Sequence, residues 1–254
     1  MTELRRRESR TLSRILRLSL LLAVLGQIAW SFRPIASIAL TDQEAFGRRL
    51  YEGNCTSCHG IDAAGTASGP SLRGVGPASV DFYLSTGRMP LANPGDQPVR
   101  REPAFTPEEI SAIVAYLSRL APGGPPIPSI STGGGDLATG AELYLNNCAG
   151  CHGAGASGDS VGGGQIAPAL DQATPVQIAE AIRVGPGVMP KFGDRTLDEH
   201  DLESLSDYLL WLRTNGSAGG LQLGRVGAVA EGLVAIVIGL GLLLLVIRLT
   251  GSKT

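Results

Sequence analysis

Cys55-Thr56-Ser57-Cys58-His59 decides how this chain is read, and it has a second copy, Cys148-Ala149-Gly150-Cys151-His152. A C-x-x-C-H run is the attachment signal of a c-type haem. Two thiols add to the porphyrin's two vinyl groups, and the adjacent His becomes an axial ligand of the iron. Two residues between the thiols let both sulfurs reach the vinyls from one turn of chain. All four cysteines lie in these two runs, so none is left for a disulfide. A thioredoxin-like redox pair expects a βαβ context and no obligatory neighbouring His. Zinc held by two C-x-x-C pairs expects about 15–20 residues between them, far fewer than separate Cys58 from Cys148. The doubled motif therefore predicts two covalently bound haem c groups.

Composition agrees. A chain of 254 residues suits about two small domains plus extras. The net charge of −2 offers no basic bulk for nucleic acid, and none is expected as a partner. Aromatics make up only 5 %, against 35 Gly and 16 Pro, as expected of loop-rich domains in which a large cofactor supplies much of the core.

Both ends point to membrane lipid. Residues 1–17 carry six arginines, and an apolar run from about Leu18 to Phe32 follows. Residues 1–40 read as a basic cytoplasmic stretch with a signal peptide, cut near Ser37-Ile38-Ala39, or a membrane anchor. Residues 226–249 are long and apolar enough for a transmembrane helix. Arg248 at its end and Lys253 beyond it lie where the positive-inside rule wants them. The domains between are then outside the cytoplasm, where c-type haem is attached. Glu231, near the outer end of this helix, reads as an interfacial residue.

Between the ends the chain repeats itself. Thr41-x-x-Glu44 and Thr106-Pro107-Glu108-Glu109 are helix starts. The second opens a stripe of Ile110, Ile113, Val114, Leu117 and Leu120 at helical period. Residues 121–136, rich in Pro and Gly, form a linker. Then Gly140-x-x-Leu143-Tyr144 matches Gly47-x-x-Leu50-Tyr51, Pro168-x-Leu170 matches Pro70-x-Leu72, Met189-Pro190 matches Met89-Pro90, and Tyr208-Leu209 matches Tyr116-Leu117. This is an internal duplication. The expected architecture is all-α: two tandem cytochrome c-type helical domains, 41–121 and 137–214, joined by 122–136. A flexible exit, 215–225, leads to the transmembrane helix.

Each haem needs a second axial ligand or keeps an open face. His59 and His152 are used, and His200 lies among acids at a helix start, a surface position. Apart from Met1 the methionines are Met89 and Met189, one per half, each followed by Pro in a Gly-rich loop. That is a suitable place for a thioether ligand and a poor one for core filling. The other ring nitrogen of each His needs a partner. The carbonyls of Pro70 and Pro168 are candidates, the alternative being ordinary loop prolines.

The doubled motif, with Gly69-Pro70-Ser71-Leu72-Arg73-Gly74-Val75-Gly76, Ser85-Thr86-Gly87-Arg88-Met89-Pro90, Met189-Pro190-Lys191-Phe192-Gly193-Asp194-Arg195 and Gly219-Gly220-Leu221-Gln222-Leu223-Gly224 before Glu231-Gly232, resembles the diheme cytochrome c subunit of the actinobacterial-type cytochrome bc complex. The resemblance runs from about Thr41 to Arg248. Arg225 and Val226 depart from the more aromatic, Pro-containing run expected there. The resemblance implies a subunit of a menaquinol–cytochrome c reductase in the bacterial cell membrane, with haem domains on the extracytoplasmic side. It implies Cys55, Cys58, His59 and Met89 around the first haem, and Cys148, Cys151, His152 and Met189 around the second. It implies a cytochrome b subunit, a Rieske iron–sulfur subunit and haem–copper oxidase subunits as partners. The chain alone would be an electron carrier. Other readings are an electron-transfer subunit of a cbb-type oxidase or membrane dehydrogenase, usually anchored at the N-terminus only, and a diheme peroxidase, for which neither motif has a spare His or acidic cluster nearby.

Overall fold

The computed structural model of the chain describes residues 40–215 and 232–251. The N-terminal segment, the exit after residue 215 and Glu231 lie outside the described residues.

The first half is built on two capped helices. Helix α1 (Asp42–Asn54) opens with a full capping box: the Glu44 N–H donates to Thr41 Oγ1 at 3.1 Å, and the Thr41 N–H donates to Glu44 Oε2 at 2.8 Å. The haem motif then forms its own short turn, α2 (Thr56–His59). Helix α3 (Pro77–Ser85) follows, and α4 (Pro107–Leu120) closes the half, capped in the same way by Thr106 and Glu109. Helix α4 turns Ile110, Ile113, Tyr116 and Leu117 inward, where they meet Tyr51 and Leu84 in one apolar cluster.

The second half repeats this. Helix α5 (Leu137–Asn147) is capped by the Asp136 carboxylate, which accepts from the Thr139 N–H at 2.7 Å. It leads to the motif turn α6 (Ala149–His152), then α7 (Pro175–Val184) and α8 (Glu199–Asn215). Tyr144, Ile178, Ile182, Leu202, Leu205 and Leu209 fill the second core. In both halves the N-terminal helix crosses the C-terminal one at a glycine. A Cβ on Gly47 would run into the Ala112 carbonyl, and one on Gly140 into that of Ser204. The repeat keeps these glycines because two backbones meet there.

Three elements go beyond the sequence expectation. Helices α3 and α7 both begin with Pro, and Thr174 and Gln177 even form a capping box, but both are short and lack a long apolar stripe. The third is a small antiparallel hairpin, β1 (Asp159–Gly162) and β2 (Gln165–Ala167), pairing Asp159 with Ala167. Gly162, Gly163 and Gly164, all at positive φ, make its turn inside the loop that lengthens the second half.

The segment 121–136 is irregular but held down at both ends. The Ala78 N–H donates to the Pro125 carbonyl at 3.2 Å. Near its far end, the Gly133 and Gly135 N–H groups donate to the Asp207 carboxylate at 2.8–2.9 Å. Helices α3 and α7 pack on each other and join the two halves. The C-terminal helix α9 (Gly232–Thr250) spans 19 residues, with a π-helical stretch at Ala235–Leu240. At 1.5 Å per residue it reaches roughly 28 Å, close to the bilayer's hydrocarbon thickness. Its Leu, Ile and Val side chains are exposed along its whole length, an apolar surface suited to lipid.

Two candidate haem sites

Each motif sits where a long helix hands over to a one-turn helix. In the first half the Cys55 N–H closes α1 on the Tyr51 carbonyl at 2.9 Å, and the His59 N–H returns to the Cys55 carbonyl at 2.9 Å. Gly60, at φ +77°, turns the chain out. The Tyr51 hydroxyl, with its side chain wholly buried, donates to the Gly60 carbonyl at 2.7 Å and pins the end of the turn. The Tyr116 ring lies against Tyr51, centroids 5.7 Å apart. The second half has the same frame: the Tyr144 hydroxyl donates to the Gly153 carbonyl at 2.6 Å, with the Tyr208 ring at 5.8 Å.

The histidines are oriented alike. His59 Nδ1 lies 2.8 Å from the Pro70 carbonyl oxygen, and His152 Nδ1 lies 2.9 Å from that of Pro168. A carbonyl only accepts, so Nδ1 carries the hydrogen and Nε2 keeps its lone pair, as a metal-binding imidazole needs. Burial lowers the His152 pKa, partly offset by the Pro168 bond. Close backbone approach sets the first pair: a Cβ on Gly69 would stand 2.8 Å from the Cys58 carbonyl oxygen and 2.9 Å from its Cβ. Gly69 thus lets the Pro70 loop lie against the motif turn.

The methionines lie on the expected loops. Cys55, Leu72 and Met89 pack, partly buried, against the first apolar cluster; Cys148, Leu170 and Met189 pack against the second. Thiol, thioether and free imidazole nitrogen in each half are a donor set that fits haem c. His200 is exposed on the first turn of α8. Burial, then the neighbouring cysteine, pushes the Cys55 and Cys148 thiols up to about 11. A redox C-x-x-C pair needs a lowered thiol pKa instead. Among the described residues no three His, Cys, Asp or Glu side chains cluster as a structural zinc requires.

Sequence reasoning overlooked the hydroxyls of Tyr51 and Tyr144, although both residues stand in the repeat eight before their motif's His. It also overlooked the polar contacts between the halves, in which the capping-box residue Gln177 takes part. Arg100 donates to Gln172 O at 2.9 Å and Gln177 Oε1 at 2.8 Å, and Gln177 Nε2 reaches Ser85 O at 3.3 Å. No short-range pattern marks those contacts.

A helical fold built twice around a C-x-x-C-H turn, with a buried Tyr, a Pro carbonyl on the His and a Met loop, defines a diheme cytochrome c with two covalently bound haem c groups. Residues 45–121 match the family model described as cytochrome c, and residues 135–209 match that of cytochrome c oxidase, cbb3-type, subunit III. The cytochrome bc1 complex cytochrome c subunit of Mycobacterium leprae is 36 % identical, over 86 % of this chain and 80 % of its own length. That of Mycobacterium tuberculosis is 36 % identical over 93 % and 89 %, and that of Corynebacterium efficiens 32 % over 98 % and 92 %. The chain belongs to the family of cytochrome c subunits of the cytochrome bc1 complex.

Proposed function

We propose that this chain relays electrons within a respiratory menaquinol-oxidising bc complex, from a Rieske iron–sulfur protein to a haem–copper oxidase. The observation that carries this is the doubled Tyr–His–Pro frame in a chain whose relatives are bc1 complex subunits. Bound haem supplies a one-electron Fe(III)/Fe(II) couple, whose potential Met/His ligation raises. Cys55 and Cys58 would carry the first haem's thioether links, with His59 and Met89 as axial ligands. Cys148, Cys151, His152 and Met189 would do the same for the second. The Pro70 and Pro168 carbonyls hold each imidazole in the tautomer that presents Nε2. The two apolar clusters pack against Cys55 and Met89 in one half and Cys148 and Met189 in the other. Residues 41–121 and 137–214 are proposed as the two haem domains, with 122–136 between them, on the extracytoplasmic face, and α9 as the anchor beside a cytochrome b subunit.

The test is gentle detergent extraction of native membranes, pull-down on this chain and mass spectrometry. Cytochrome b, a Rieske protein and haem–copper oxidase subunits together are the expected result. A second reading, service to a cbb-type oxidase, draws on the second half's family match and on a CcoP subunit of Azospirillum sp. that is 30 % identical over 65 % of this chain. An oxidase recovered without cytochrome b would favour it.

A further inference from the structure

The junction of α3 and α7 holds a feature that electron relay does not use. Glu180, on α7, is 0 % exposed, and neither carboxyl oxygen receives a hydrogen from any side chain or backbone group. Counting from the leading prolines of α3 and α7, its counterpart in the first half is Phe82, an ordinary buried aromatic. The group facing Glu180 across the junction is the Asp81 carboxyl, within hydrogen-bonding reach. A carboxylate cut off from water, with no donor to either oxygen and a second carboxyl facing it, is disfavoured in its charged form.

The surrounding charges do not relieve this. Arg88 lies over the Phe82 ring at 4.8 Å. Arg100 is engaged by Gln172 and Gln177. Arg183 is tied to Asp194 at 3.0 Å and to the Phe192 and Leu197 carbonyls. Tyr83, from α3, lies beside Arg88 and Gly187. Helix α8, also packed on α7, spends its charges elsewhere: Glu199 and His200 are exposed, Asp201 accepts from the Asp198 N–H, Glu203 from the Ser131 N–H and Asp207 from Gly133 and Gly135, and Arg213 donates to the Leu170 and Ala173 carbonyls. Among the described residues no ion pair joins a cation to Glu180.

We propose that Asp81 and Glu180 are a proton-binding site: a carboxyl–carboxylate pair that shares one proton and latches α3 to α7. The proton supplies the missing donor and removes the repulsion, so the halves dock more tightly while it is held. Burial, then Asp81, pushes Glu180 up to about 9, in line with this. The sign follows. A carboxyl whose docked pKa is raised takes up a proton on docking at pH values between its ordinary range and about 9. Docking therefore weakens as pH rises across that window, by up to about tenfold per unit, and levels off above it. The latch depends only on the packing of α3 on α7 and stands apart from the haem-ligand assignment.

The test uses the full-length holoprotein in detergent. Infrared spectroscopy at pH 7 is expected to show a protonated-carboxyl stretch that Glu180→Gln removes and that titrates away near pH 9 in the parent. Hydrogen exchange is expected to show α3 and α7 amides losing protection as pH rises in the parent beyond the intrinsic rate change, and no such loss in Glu180→Gln, whose amide donates permanently to Asp81. Should Glu180→Gln fail to fold, the parent's band and its exchange profile decide. A parent with no acid band titrating near pH 9, whether from an ionised pair or a cation clamped between the carboxylates, overturns the latch. So does a band that survives in Glu180→Gln.

Discussion

The two halves agree residue by residue around their motifs and disagree where they meet. Tyr51 and Tyr144, His59 and His152, Pro70 and Pro168 make the same bonds to within 0.1 Å. At the junction the counterpart of Phe82 is Glu180, and the residue before the methionine is buried Arg88 in one half and exposed Val188 in the other. The haem frame repeats because one turn has to set two thiols and an imidazole together, with a carbonyl on the imidazole to hold it. The junction is where a duplicated domain must stop being a copy, since each half faces the other rather than itself.

The largest effect expected from breaking this comparison is on cofactor content. Replacing Cys55 and Cys58 together with Ala should halve the covalent haem per chain, read by pyridine haemochrome, and leave the second half loaded. Loss of both haems would mean the halves do not mature separately. Next, Met89→Ala should remove about half of the methionine-to-iron charge-transfer band of the ferric protein and lower one potential. An unchanged spectrum would sink the ligand assignment.

Smaller effects sharpen it. Gly69→Ala forces a Cβ against Cys58 and should cost about 1–3 kcal/mol in denaturant unfolding, whereas Gly150→Ala, in the open helical turn of the second motif, should stay within about 0.5 kcal/mol. Tyr51→Phe and Tyr144→Phe each delete one buried hydroxyl and strand one carbonyl, at about 0.5–1.5 kcal/mol. Equal costs would show that the frame is energetically as well as geometrically repeated, and a clear inequality would show that one half leans on its tyrosine more. Across the junction, thermal stability should fall as pH rises from the ordinary carboxyl range to about 9, and Glu180→Gln should flatten that part of the profile.

Much of this was legible in the chain because the signals are local. C-x-x-C-H is a spacing, Thr106-Pro107-Glu108-Glu109 is a capping box at four consecutive positions, and the repeat needs only alignment of the chain with itself. Helices α3 and α7 were not legible, being short and stabilised by packing more than by pattern. The Tyr hydroxyls were visible as repeated residues but not as donors, since their acceptors, Gly60 and Gly153, come within reach only when the motif turn folds back.

The sequence by itself thus determined the two covalent haem c groups, the helical class, the duplication and an apolar C-terminal span, all consequences of residue types at short, regular spacings. Only the tertiary structure decided that the segment after α4 is held down rather than free, that the Pro70 and Pro168 carbonyls meet the histidines, and that Glu180 is buried against Asp81. In the chain Glu180 is one more acid on a short amphipathic helix. Its burial depends on a helix almost a hundred residues away, and no local pattern carries that information.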